Sequence, residues 1–159
     1  VHFAVGLTCV SAVELDNELN PRVFSLRKII EIAHDNINRR IPLVWQRIWN
    51  VLAPHFVKAG CHKNINIGTY AINSLRQLSM LFFEKPELAN FQFQNKFLLP
   101  FFNIIERTKN SDIRLIIIEC IHRIVKLKFN NIKSGWKTVF LVMGLAAKDP
   151  HEILVSETY

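Results

Sequence analysis

Apolar residues along this 159-residue chain recur at intervals of three and four rather than at every second position. Ile67, Ala71, Leu75, Leu78 and Phe82 fall on one stripe, with Thr69, Asn73, Arg76 and Met80 roughly opposite. Ile113, Ile117, Ile121, Ile124 and Val125 form a second, with Asp112, Glu119, Arg123 and Lys126 on the far side. A period of about 3.6 residues collects apolar side chains on one face of a helix. No strictly alternating run of strand length stands between turn residues, so an all-α chain is expected.

Boundary residues divide the pattern into about seven helices. The expected spans are residues 2–16, 25–38, 42–58, 66–84, 93–108, 111–128 and 133–148, and Asp149–Pro150 opens an eighth. Ser25 is the expected N-cap of the second, and Ser111 or Asp112 of the sixth. Pro42 suits the first turn of the third, and Gly60 follows its end. Pro54 and Pro100 fall inside helices and should kink them. Alternate helices start near Ser25, Asn66, Asp112 and Pro150, in steps of about 41, 46 and 38 residues, close to the roughly 40–47 of HEAT and armadillo repeats. One helical hairpin of that length cannot bury its apolar face alone, so stacked hairpins should make the core. The expected fold is a HEAT/armadillo-like helical-hairpin solenoid forming one domain over residues 1–159. A start at Val and an end inside an apparent helix suggest a piece of a larger multidomain protein.

Composition narrows the partners more than the fold. The formal charge is +7, and +6 of it lies in residues 107–137, where eight Lys and Arg face only Asp112 and Glu119. A local basic surface favours an acidic partner. Arg123 and Lys126 fall on the exposed side of the sixth helix, Glu119 stands four residues before Arg123, and Lys133 and Lys137 follow after a short loop. Arg114 falls on the apolar side, among Ile117, Ile118, Ile121 and Val125, where a carboxylate from a neighbouring helix should pair it. Three widely spaced cysteines, Cys9, Cys61 and Cys120, in a chain with no Asn-X-Ser/Thr acceptor read as free thiols in a reducing compartment. The longest charge-free stretch, residues 1–13, is too short to span a bilayer, which takes about 20 apolar residues.

No GxxxxGK[ST], GxGxxG, CxxC or HExxH is present. His55, Cys61 and His62 cluster at a helix end, but their spacing fits no zinc pattern. Carboxylates are sparse, so neither catalysis nor a cofactor is expected. Trp45, Trp49 and Trp136, with Phe91, Phe93, Phe97, Phe101 and Phe102, recur at helical spacing and read as core. They are not interleaved with Arg or Lys as a nucleic-acid platform requires, and no nucleic acid is expected as a partner.

Several segments, in order, carry a family likeness: FSLRKIIEIAH at residues 24–34, WQRIWNVL at 45–52, NSLRQLSM at 73–80, ELANFQFQ at 87–94, Pro100–Phe101, and NIKSGWK at 131–137. Together they resemble the first homology-downstream domain of the large brefeldin A-inhibited Arf guanine-nucleotide exchange factors of the trans-Golgi network. The resemblance runs over residues 24–148. It departs at Asn73, where the family usually has an acidic residue, and at RRIPLV (residues 39–44), which is one residue longer and carries Pro42.

The resemblance implies a non-catalytic, helical regulatory domain whose exchange reaction belongs to a separate upstream domain. The implied partners are GTP-bound Arf, the protein's own exchange domain and an anionic Golgi membrane surface, and the implied location is cytoplasmic, peripheral on trans-Golgi network membranes. Autoinhibition relieved by GTP-bound Arf is the implied regulation. Arg76, opposite the core stripe of the fourth helix, and the basic residues Arg123, Lys126, Lys133 and Lys137 are the candidate partner-binding residues. The alternative function is a structural packing or dimerisation module.

Overall fold

The computed structural model describes residues 1–17 and 19–148. Seven α-helices follow one another: α1 (His2–Leu15), α2 (Phe24–Ile37), α3 (Pro42–Gly60), α4 (Ile65–Phe82), α5 (Gln94–Arg107), α6 (Ser111–Lys128) and α7 (Trp136–Ala146). A 3₁₀ turn, Phe129–Asn131, separates the last two, and no strand occurs among the described residues. The eighth helix expected from Asp149–Pro150 lies outside the described residues. None of the helices is long and apolar enough to cross a membrane.

The helices stack in two rows. α1, α3, α5 and α7 pack in succession in one, and α2, α4 and α6 in the other. The even helices start at Phe24, Ile65 and Ser111, 41 and 46 residues apart, so the sequence period is the spacing of the stacked pairs. The chain is an all-α helical-hairpin solenoid, as expected.

The predicted stripes become the contact between rows. Ile67, Ala71, Leu75 and Leu78 of α4 are buried, as are Ile113, Ile117, Ile121 and Ile124 of α6. Trp49 of α3 stacks on Phe97 of α5 at 4.3 Å between ring centroids, and Phe82 of α4 stacks on the same ring at 4.2 Å. Trp45, Phe93 and Phe101 are also buried, whereas Phe91, Phe102 and Trp136 are half-buried at its edge. α4 has α2 and α6 on its flanks and α3 behind, so its burial spreads past one stripe to Gly68, Ile72, Ser74 and Ser79.

Both internal prolines sit within continuous helices. Pro100 has no N–H for the carbonyl of Lys96, four residues earlier. The indole Nε1 of Trp49 donates to that oxygen at 3.4 Å, so the neighbouring helix supplies the missing donor.

Helix starts depart from the local signals. α2 begins at Phe24 with Val23 at the N-cap position, and Ser25 is buried in its first turn. The Ser25 N–H is satisfied by Glu14 Oε2 of α1 at 2.9 Å. α6 is capped by Asn110, whose Oδ1 accepts from Ile113 N at 3.0 Å, one residue before the expected caps. α7 starts three residues later than expected because residues 133–135 are tied to the start of α5.

Two glycines set the distance between neighbours. A Cβ at Gly60 would run into Ile104 Cδ1 of α5, and one at Gly68 would stand 3.1 Å from the carbonyl oxygen of Gly60. The bare Gly60 lets the end of α3 come close to α5, and the bare Gly68 lets the start of α4 come close to the end of α3.

Candidate functional site

The predicted basic residues fall on different rows. Arg76 lies on α4 and Arg123 and Lys126 on α6, the adjacent helices of the even row. Arg76 is half-buried, whereas Arg123 and Lys126, one turn apart, are exposed. Arg76 and Arg123 both act on the buried thiol of Cys120. Burial pushes that thiol up to about 12, the two guanidiniums pull it down, and Glu119 raises it. The two arginines stand on adjacent helices of the even row, α4 and α6. No ion pair closes between Glu119 and Arg123 among the described residues, although Lys28–Glu31 and Lys58–Asp16 do pair.

Lys133 lies in the segment leading into α7 and Lys137 in the first turn of α7, in the odd row, and both are exposed. Lys133 is anchored: its N–H donates to Gln94 Oε1 at 2.7 Å and its Nζ to Glu87 O at 3.1 Å. The five residues therefore divide into an α4–α6 group and an α7 group.

Arg114 is half-buried, and its guanidinium reaches the end of α5, where Nη1 donates to Ile105 O at 2.5 Å. A helix end presents carbonyls without intrahelical donors, and a cation is favourable there.

The most developed polar cluster joins two of the family-like segments. Glu87 Oε1 accepts from Phe93 N at 2.6 Å, Gln94 N at 2.9 Å and Ser134 Oγ at 2.9 Å, and Oε2 accepts from Ser134 N at 3.1 Å. Gln94, 1% exposed, returns the bond: its Nε2 donates to Asn131 O at 2.7 Å. Asn131 Nδ2 donates to Phe83 O at 2.8 Å. The carboxylate thus supplies the cap of α5 and clamps the α6–α7 connection at once. The motifs ELANFQFQ and NIKSGWK carry this cluster; sequence reading registered both blocks but missed that they bond to each other.

The histidines near Cys61 join helices. His55 Nε2 and Ser11 Oγ are 2.8 Å apart between α3 and α1, and His62 Nε2 donates to Leu15 O at 2.9 Å. Burial lowers the His55 pKa below its ordinary value, nearby Lys58 adds to this, and Asp16 opposes it.

The fold defines a two-row helical stack whose bonded polar side chains mostly fasten one helix pair to the next. Residues 81–159 match the Sec7-like HDS family, described as Mon2/Sec7/BIG1-like, HDS. The chain is 50% identical over 155 residues to brefeldin A-inhibited guanine nucleotide-exchange protein 2 of Arabidopsis thaliana, and 48% identical to protein 1 of Homo sapiens. Each match covers 98% of this chain but only 9% and 8% of those relatives. This chain belongs to the Sec7-like HDS family and is a domain of the brefeldin A-inhibited exchange-protein type.

Proposed function

We propose that this chain is a non-catalytic regulatory domain of a large Arf guanine-nucleotide exchange factor. It restrains the exchange domain of its parent protein, and GTP-bound Arf on an anionic trans-Golgi membrane relieves the restraint. The mechanism is a population shift: Arf-GTP binds the released state better and so favours it. The observation that carries this reading is similarity over 98% of the chain to proteins named as guanine nucleotide-exchange factors. Arg76 of α4 and Arg123 of α6, on adjacent helices, are the residues proposed to meet the acidic partner, with Lys126 one turn from Arg123. Lys133 and Lys137 are proposed to contact anionic headgroups from the α7 side.

Flotation with anionic liposomes carrying anchored Arf tests this. Recovery should require GTP-loaded Arf, and the double variant Arg76→Glu, Arg123→Glu should lower it at least about tenfold, a loss of about 1.4 kcal/mol. Equal recovery with GDP-loaded Arf would defeat the Arf reading.

The second reading, a packing or dimerisation module, draws on the exposed apolar residues of the two terminal helices. Phe3 is 71% exposed and Val13 74% on α1, and Phe140 is 68% on α7. Phe129, Trp136 and Phe140 form a continuous aromatic run there. A concentration-independent monomer in sedimentation velocity counts against self-association through these faces.

A further inference from the structure

A cleft of about 240 Å³ lies where the ends of α2, α3, α4 and α5 meet, apart from every basic residue considered above. Pro42, Trp45, Phe82 and Phe91 line it, and Arg40 and Lys85 are the cations on its lining. Its volume falls below the roughly 300–1,000 Å³ of pockets that enclose a small-molecule ligand. An apolar lining of that size suits one or two anchoring side chains of a longer chain.

Three features specify the occupant. Trp45 is 1% exposed, and its indole Nε1 is buried with no acceptor among the described residues, whereas the Trp49 indole has Lys96 O. Buried donors are rarely left in this condition, because such a group has lost water without gaining a partner. The electrostatics of the lining are one-sided. Its single carboxylate, Glu87, already accepts from Phe93, Gln94 and Ser134, while Arg40 and Lys85 are exposed. Arg40 is steadied by its Nε, which donates to Asn36 Oδ1 at 2.9 Å. Finally, the connection from α4 to α5 is already shaped. Glu87 and Gln94 hold its far end, and Asn90 adopts φ 67°, a left-handed conformation that asparagine tolerates. A connection already held in shape lowers the ordering cost of binding.

We infer that this cleft docks an acidic peptide segment. An apolar side chain enters between Pro42, Phe82 and Phe91, the cleft widens so that a main-chain carbonyl reaches the buried Trp45 Nε1–H, and a flanking carboxylate meets Arg40 and Lys85. This goes beyond the Arf reading and does not rest on it, since none of these residues belongs to the α4–α6 or α7 groups.

The test is a titration of the ¹⁵N-labelled 159-residue chain, with the three indole N–H signals assigned by through-bond spectra so that no core residue is changed. The capped peptide Ac-Glu-Glu-Leu-Phe-Glu-NH₂ should shift the Trp45 signal saturably and leave that of Trp49 in place. Ac-Lys-Lys-Leu-Phe-Lys-NH₂ should not shift it. The double variant Arg40→Glu, Lys85→Glu, altered only at exposed positions, should bind the acidic peptide at least tenfold more weakly with an unchanged melting temperature. No shift of Trp45, an equal response to the lysine peptide, or full binding by the variant each overturns the inference. A shift produced by phosphatidylserine vesicles and not by the acidic peptide would overturn it in favour of a lipid surface.

Discussion

Glu87 is half-buried, and one carboxylate serves four donors on two segments forty-odd residues apart. Hydrogen bonds to a charged group contribute about 1.5–3 kcal/mol, and losing a helix cap costs about 1 kcal/mol. Glu87→Ala should therefore destabilise the chain by about 2–4 kcal/mol in urea unfolding, with Glu87→Gln intermediate. The effects of removing Glu87 and Ser134 should not add, because they share bonds. Cysteine chemistry follows burial in the same way. Cys120, buried and with its thiol raised to about 12, stays protonated at pH 8 and should be inert to a disulfide reagent in the native chain. Cys9, which is exposed, should react first, and Cys61, whose thiol is raised by partial covering of its sulfur, more slowly. All three should react after unfolding; rapid native modification of Cys120 would mean that α4 and α6 separate readily.

Among elements, the outcome turns on how closely helices approach. Alanine at Gly60 gains helix propensity, about 0.5–1 kcal/mol, but meets Ile104, which is fully buried. Overpacking costs about 1–3 kcal/mol and exceeds that gain. Gly60→Ala should thus lower the urea midpoint, by a net of about 1–2 kcal/mol. The α1–α3 contact should respond to pH through His55. Its folded pKa lies below the ordinary 6.5, so the unfolded chain takes up the proton first as pH falls. The stabilisation is complete above about 6.5 and is lost below it, at no more than about 1.4 kcal/mol per pH unit. Unfolding midpoints should drop between pH 7 and pH 5.5, and His55→Gln should flatten that slope.

The elements themselves were legible because α4 and α6 put their apolar residues three and four apart, a property of the local chain. Their caps were not. Glu14 serves Ser25 from another helix, and Glu87 serves α5 across a loop, so no neighbouring residue announces either bond. Arg76 shows the same limit. A helical wheel places it opposite the core stripe, but with helices packed on several sides of α4 it is half-buried. Trp45, Trp49, Phe93, Phe97 and Phe101 read as core from spacing alone, and they are.

For the whole molecule, a formal charge of +7 concentrated in residues 107–137 sets how it meets anionic surfaces. Screening shortens electrostatic reach to about 10 Å at 0.1 M salt and about 3 Å at 1 M. Association of the chain with anionic vesicles carrying GTP-loaded Arf should weaken steeply over that range, measured by flotation. Retention unaffected by 1 M salt would instead assign the contact to the exposed apolar residues of α1 and α7.

The Glu87 clamp also dictates where this polypeptide can be cut. A version ending after α6 would delete Ser134 and the Lys133 and Gly135 amides that Gln94 Oε1 receives. The start of α5, in the middle of the stack, would then carry a carboxylate and a buried amide with vacant positions. The damage from such a deletion would surface some forty residues upstream of the break. The α4–α5 connection, the start of α5 and the segment leading into α7 accordingly hold together as one unit, and dissection of the domain must keep residues 83–146 together.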